Sequence, residues 1–149
     1  MQLSKFTDYS LRVLIYTAAK HPDKVSITEL AEAYDISRNH LVKVVNQLAN
    51  LGYLETTRGR GGGVLLGQPA GDIIIGDVIE AVEPGFDMAE CFSVGANHCR
   101  LTPVCRLKGI MNEAKTAFLR ELSRHTLADV VQQPQEILEA LKIEDVSVN

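Results

Sequence analysis

The chain has 149 residues, 46% of them hydrophobic, which suits one globular unit of ordinary size. No run of about 18 apolar residues is present, which excludes a membrane-spanning helix, and the first residues lack the apolar core of a secretory leader. The net charge of −4 excludes a uniformly basic surface, but residues 1–60 hold eight Lys/Arg against six Asp/Glu while residues 61–149 hold seven against thirteen, so a nucleic-acid face belongs in the first part.

In chain order, Leu11, Leu14, Ile15 and Ala18 recur at helical spacing between Phe6 and Ala19, and His21-Pro22-Asp23 ends that helix because proline cannot continue it. Ser26-Ile27-Thr28-Glu29 matches a capping box and opens a short helix to about Tyr34. Ser37 is a natural N-cap for a helix over about Arg38–Asn50, with Leu41, Val44, Val45 and Leu48 facing inward and Gly52 as its stop. Residues 53–57 and 63–66 then read as two short strands around a glycine-rich turn. A short helix is expected over Asp77–Val82, closed by Glu83-Pro84-Gly85. Residues 85–105 show no period and contain all three cysteines; a long irregular segment in a small protein calls for a functional reason. Helical spacing returns from about Val104 to Arg124 with Leu107, Met111, Ala114, Phe118 and Leu122, and a weaker helix is expected over Glu136–Leu141 before a frayed end.

The order helix, turn, helix, hairpin predicts a mainly α winged helix-turn-helix with a short β-hairpin wing. The expected organisation is a DNA-binding domain over 1–83, a cysteine loop over 84–105, a long C-terminal dimerisation helix and its following turn over 104–133, and a tail over 134–149. The seam Leu107, Met111, Ala114, Phe118 and Leu122 is expected to bury itself against a second copy. Ser37, Arg38, Asn39, His40 and Lys43 lie at or near the start of the second helix, where side chains reach base edges in the major groove. Arg pairs with guanine and Asn with adenine, while Lys and Ser serve phosphate. Thr28 joins this set from the first helix of the pair, and Arg58 and Arg60 place two guanidinium groups on the thin hairpin tip. Double-stranded operator DNA is the expected partner. The glycines of the tip open no helix and precede no Gly-Lys-Ser/Thr, so they do not form a nucleotide loop. With no nucleotide motif and no assignable nucleophile, an enzyme is not expected.

Cys91-x7-Cys99-x5-Cys105 is an odd set in a chain expected to stay in the reducing cytoplasm, which argues against a disulfide framework. Thiolates on a loop suit soft metals and iron–sulfur clusters, and the tight Cys-x2-Cys knuckle common in zinc sites is absent. A redox switch between two thiols and three idle thiols remain open on spacing alone. A four-iron cluster would need a fourth ligand, for which the local candidates are His98, Glu90 and Asp87.

Several stretches together resemble the NsrR family, nitric-oxide-sensing repressors among the winged-helix iron–sulfur regulators. They are Met1-Gln2-Leu3, Phe6–Arg12, Ser37–Lys43, Asn46–Leu48, Arg58–Gly63, Ile75–Ile79, Cys99–Leu107 and Thr126–Val130, and the resemblance covers about residues 1–131. It implies a cytoplasmic homodimer with one cluster per subunit, [4Fe–4S] or, as in cluster-supply sensors of the wider group, [2Fe–2S]. It also implies an oxygen ligand from the partner chain, and Asp8 matches that position. Nitric oxide is then the signal, and cluster nitrosylation releases the operator; regulation by iron–sulfur supply or redox stress is the alternative. The Cys91–Cys99 gap is longer here than in these relatives, with the extra residues near Gly95-Ala96-Asn97.

Overall fold

The structure is a computed structural model that describes residues 2–93, 95 and 97–142. Helix α1, Lys5–Lys20, is capped by Ser4, whose hydroxyl accepts from the Thr7 N–H at 3.2 Å. Helices α2, Ile27–Tyr34, and α3, Arg38–Asn50, begin where Ser26 and Ser37 were expected to cap them. Between them Asp35 takes a left-handed conformation, φ 51°, which a short polar side chain tolerates. Strands β1, Leu54–Thr57, and β2, Gly63–Leu66, pair antiparallel with Leu54 opposite Leu66 and Thr57 opposite Gly63. The wing is tied to the helices by Val25, which exchanges two backbone hydrogen bonds with Val64 at 3.0 and 2.8 Å.

Helix α4 spans Ile75–Val82 and starts two residues before the expected Asp77. Helix α5 spans Arg106–Leu122 and is shorter than the expected 104–124, because Thr102–Val104 forms a separate tight turn. Two further helices follow, α6 over Leu127–Val130 and α7 over Pro134–Ala140. The first was not anticipated, although Thr126 and Asp129 cap it reciprocally, the side chain of each accepting from the other's backbone N–H. The end of the predicted tail, 143–149, lies outside the described residues.

One core joins these elements. Val13 and Leu14 of α1 and Leu30, Leu41, Val44, Val45 and Leu48 of the helix-turn-helix pack with Ile73, Val78, Ile79 and Leu127, and α7 adds Leu138. Fully burying side chains of this size stabilises by roughly 1.5–3 kcal/mol each, so the helix-turn-helix rests on a rigid base. Helices α4 and α5 meet at Gly76, where a Cβ would lie 2.8 Å from the Ser123 backbone nitrogen. Nothing larger than glycine fits that crossing without displacing backbone.

Candidate functional site

Helix α3 owes its exposed polar face to its own period. Leu41, Val44, Val45 and Leu48 are buried, which turns Asn39, Lys43 and Asn46 to solvent. Ser37 stays at the cap, its hydroxyl 3.4 Å from the His40 N–H it accepts from. His40 faces back toward the first helix, its ring 6.2 Å from that of Tyr9. Arg38 donates to the Thr28 hydroxyl, so the two residues nominated from separate helices act as a pair.

Arg38, Thr28 and Ser26 also line a groove of about 330 Å³ with Asn46, Thr57 and Arg58, open between α2, α3 and the wing. At the wing tip Gly59 and Gly61 have φ of 92° and 76°, and a Cβ on Gly62 would collide with the Thr57 carbonyl. This turn therefore requires glycine, and it carries Arg58 and Arg60 outward on a narrow backbone. Arg38, Lys43, Arg58 and Arg60 are exposed, and none pairs with a carboxylate among the described residues. The groove and wing thus form an unneutralised cationic surface of a kind that attracts phosphate.

Arg38→Ala and Asn39→Ala are expected to lower the ratio of specific to random DNA affinity by about tenfold or more. Arg60→Ala is expected to weaken both kinds of binding alike and to reduce the salt dependence. Titration of each variant at fixed salt against a cognate and a scrambled duplex checks both expectations.

The cysteine segment is organised by side-chain to backbone bonds. Asn97 accepts from the Cys99 N–H and also bonds the Thr102 hydroxyl, both at 3.0 Å, while that hydroxyl donates to the Cys99 carbonyl at 2.9 Å. Asn97 and Thr102 therefore fix the turn that presents Cys99; an Asx residue two positions before the cysteine was the available signal. Cys105 sits at the N-cap position of α5, where unpaired backbone N–H groups favour negative charge. The Lys108 ammonium lies 5.8 Å from the ring centre of Phe92, which neighbours Cys91, and Lys115 lies 5.4 Å from that of Phe86. These contacts hold the segment along α5. Asp87 accepts from Ser93 at 2.6 Å, and His98 and Glu90 are exposed.

All three cysteines are free and half-buried. Free, partly shielded thiols suit a soft iron centre. Among the described residues of one chain, however, no three His, Cys, Asp or Glu side chains converge as a metal site. Asp8 lies on the first turn of α1, half-exposed and paired with Arg12 at 3.0 Å. A ligand set that included it would have to be completed between chains.

Helix α1 touches both α2 and α3. The Arg12 guanidinium lies 5.7 Å from the Tyr34 ring centre, at the end of α2, and the Tyr34 hydroxyl donates to the Arg12 carbonyl at 3.0 Å. Burial, partly opposed by the Arg12 charge, pushes the Tyr34 phenol up to about 12, so it remains a donor at neutral pH. Glu83, just before the cysteine segment, accepts from the Ser4 N–H at 3.0 Å and the Thr7 hydroxyl at 2.6 Å. It anchors the start of α1, a contact that its place in the turn closing α4 did not signal.

The expected seam on α5 divides between two faces. Phe118 packs edge-on against Phe86, and Leu122 joins Leu119 against the chain's own core. Met111 is half-buried, whereas Leu107 and Ala114 are exposed. The exposed face also holds Ile110, 59% exposed beside Leu107 at 61%, and Val104 at 79% precedes it.

A family model described as an iron-dependent transcriptional regulator, Rrf2, matches residues 3–133. The chain is 48% identical to the HTH-type transcriptional regulator NsrR of Bacillus subtilis over 97% of its own length and 100% of that protein's. It is 45% identical to the NsrR of Halalkalibacterium halodurans, covering 96% and 99%. Among solved structures, oxidised Staphylococcus aureus CymR matches with a TM-score of 0.71 at 26% identity, covering 89% of this chain and 97% of that one. T. potens IscR matches with a TM-score of 0.69 at 23% identity, covering 91% and 90%, and shares the fold. No described helix is long and apolar enough to cross a membrane.

Proposed function

The chain belongs to the Rrf2 family and its NsrR branch, as a DNA-binding transcriptional regulator rather than an enzyme, and on that basis we propose that it is a cytoplasmic homodimeric repressor that senses nitric oxide. In this reading Cys91, Cys99 and Cys105 of one subunit and Asp8 of the other hold an iron–sulfur cluster, [4Fe–4S] and one per subunit. When bound, the cluster supplies an iron that nitric oxide attacks, the Asp8 oxygen being a poor match for a soft metal. The observation that carries the reading is the position of Asp8 on α1, the helix that also contacts Tyr34 and His40.

The chain's own residues supply the coupling. An Asp8 carboxylate engaged across the dimer is drawn away from Arg12, and Arg12 lies on the last residue of α2. Glu83 links the start of α1 to the residues that lead into the cysteine segment. Once the ligand set is lost, Asp8 returns to Arg12, the tie between one subunit's α1 and the other's cysteine segment is released, and the two rigid subunits are free to turn relative to one another. Such a turn changes the angle between the two recognition helices and removes one half-site from register, since dimers of this kind read half-sites at fixed spacing. Leu107, Ile110 and Ala114 on an exposed face of α5, with Val104 just before the helix, provide the apolar surface for the second copy.

Asp8→Ala tests the cross-subunit ligand. The variant is expected to fold and dimerise normally but to show a shifted cluster absorbance and circular dichroism after anaerobic purification, and a faster loss of iron to a chelator. An unchanged spectrum refutes Asp8 as a ligand.

A further inference from the structure

One apolar side chain stands on the polar face of α3. Val42 is 38% exposed and takes no part in the buried row of Leu41, Val44, Val45 and Leu48. It shares an edge of the helix with Asn39 and Asn46, at the three- and four-residue spacing that makes neighbours on a helix surface, and Lys43 follows it on the same exposed side. Asn46 lines the groove that also holds Arg38 and Arg58, so Val42 stands beside the cationic groove without lining it.

Every neighbour of Val42 on this strip can hydrogen-bond to a base or a phosphate, and Val42 cannot. Docked in a major groove it would lose water and meet edges made of donors and acceptors, with one exception. The thymine C5-methyl is the apolar group that the major groove offers. We propose that Val42 is a specificity-determining residue that packs on a thymine methyl in each operator half-site, between the bases read by Asn39 and Asn46. The proposal rests on α3 being the recognition helix, and it adds a base identity that no hydrogen-bonding residue on the strip specifies. Burial of one methyl against an apolar side chain corresponds to about a fourfold gain in affinity per half-site.

The test uses the full-length chain purified anaerobically. Binding sites are selected from random duplexes, and each thymine of the selected site is then replaced singly by uracil, which keeps the base pair and removes only the methyl. The wild type is expected to lose about fourfold in affinity at one thymine per half-site. Val42→Ala, a change at an exposed position to a good helix former, is expected to bind the thymine and uracil duplexes equally while retaining the wild-type circular dichroism and affinity for random DNA. A flat uracil scan in the wild type, or the same methyl dependence in Val42→Ala, overturns the contact. Failure to select any preferred sequence overturns instead the recognition-helix reading on which it rests.

Discussion

Cys99→Ser is expected to leave a folded protein that has lost its cluster and its operator. Serine keeps the size of the side chain but replaces a soft sulfur donor with a hard oxygen, which soft iron centres bind poorly. Cys99 is half-buried outside the core, and the bonds that shape its turn come from Asn97 and Thr102 to its backbone. The substitution therefore removes a ligand without removing the turn. Far-ultraviolet circular dichroism and Tm should match the wild type, while visible absorbance, bound iron and acid-labile sulfide fall to background after anaerobic purification. Operator affinity should drop by about a thousandfold or more, toward the level of random DNA. Wild-type iron content together with wild-type operator affinity would remove Cys99 from the ligand set. An unfolded Cys99→Ser protein would assign the cysteine a structural role.

Ile110→Asp is expected to separate the dimer into monomers. The side chain stands exposed beside Leu107 on the face of α5 that the chain does not cover itself. In a twofold dimer the substitution enters the interface twice. Each copy would lose the burial of one large aliphatic, about 1.5–3 kcal/mol, and would leave a carboxylate to be desolvated without a partner. The combined effect is on the order of a thousandfold or more in the dissociation constant. Sedimentation velocity should show one chain where the wild type shows two, and operator affinity should fall with it because a monomer spans one half-site. Phe118→Ala provides the contrast. Phe118 packs on Phe86 within its own chain, so its loss should lower stability more than it lowers dimer affinity. Dimers at micromolar Ile110→Asp would locate the interface elsewhere.

The divided seam shows where sequence period reaches its limit. Leu107, Met111, Ala114, Phe118 and Leu122 do form one continuous stripe on a helix of 3.6 residues per turn. Period alone cannot tell which edge of a broad stripe meets the chain's own core and which is left for another chain. That depends on where Phe86 and α4 fall in space. The helix-turn-helix was legible because its signals are local: Ser26 and Ser37 cap where expected, and the buried face of α3 is the one its spacing predicts.

Even so, Glu29 does not complete the capping box at α2. Its carboxylate instead accepts from Tyr16 at 2.9 Å and pairs with Lys20 at 3.1 Å, so a tertiary contact displaced a local one. The reciprocal box occurs at Thr126 and Asp129, where the four-residue helix is too short to show a period. In the site, the residue types were readable but their partners were not. Arg38 with Thr28, Tyr9 with His40, and Glu83 with the start of α1 are all contacts between separate elements. Asp8 was reached through family resemblance alone, since a ligand contributed from another chain would leave no spacing signal within this one.

The most direct test is an anaerobic titration of the purified dimer with nitric oxide, following cluster absorbance and operator binding in the same sample. Absorbance and operator affinity are expected to fall together and reach completion at the same ratio of nitric oxide to cluster. An operator complex that persists after the absorbance is fully bleached, or a cluster that does not react, would contradict it.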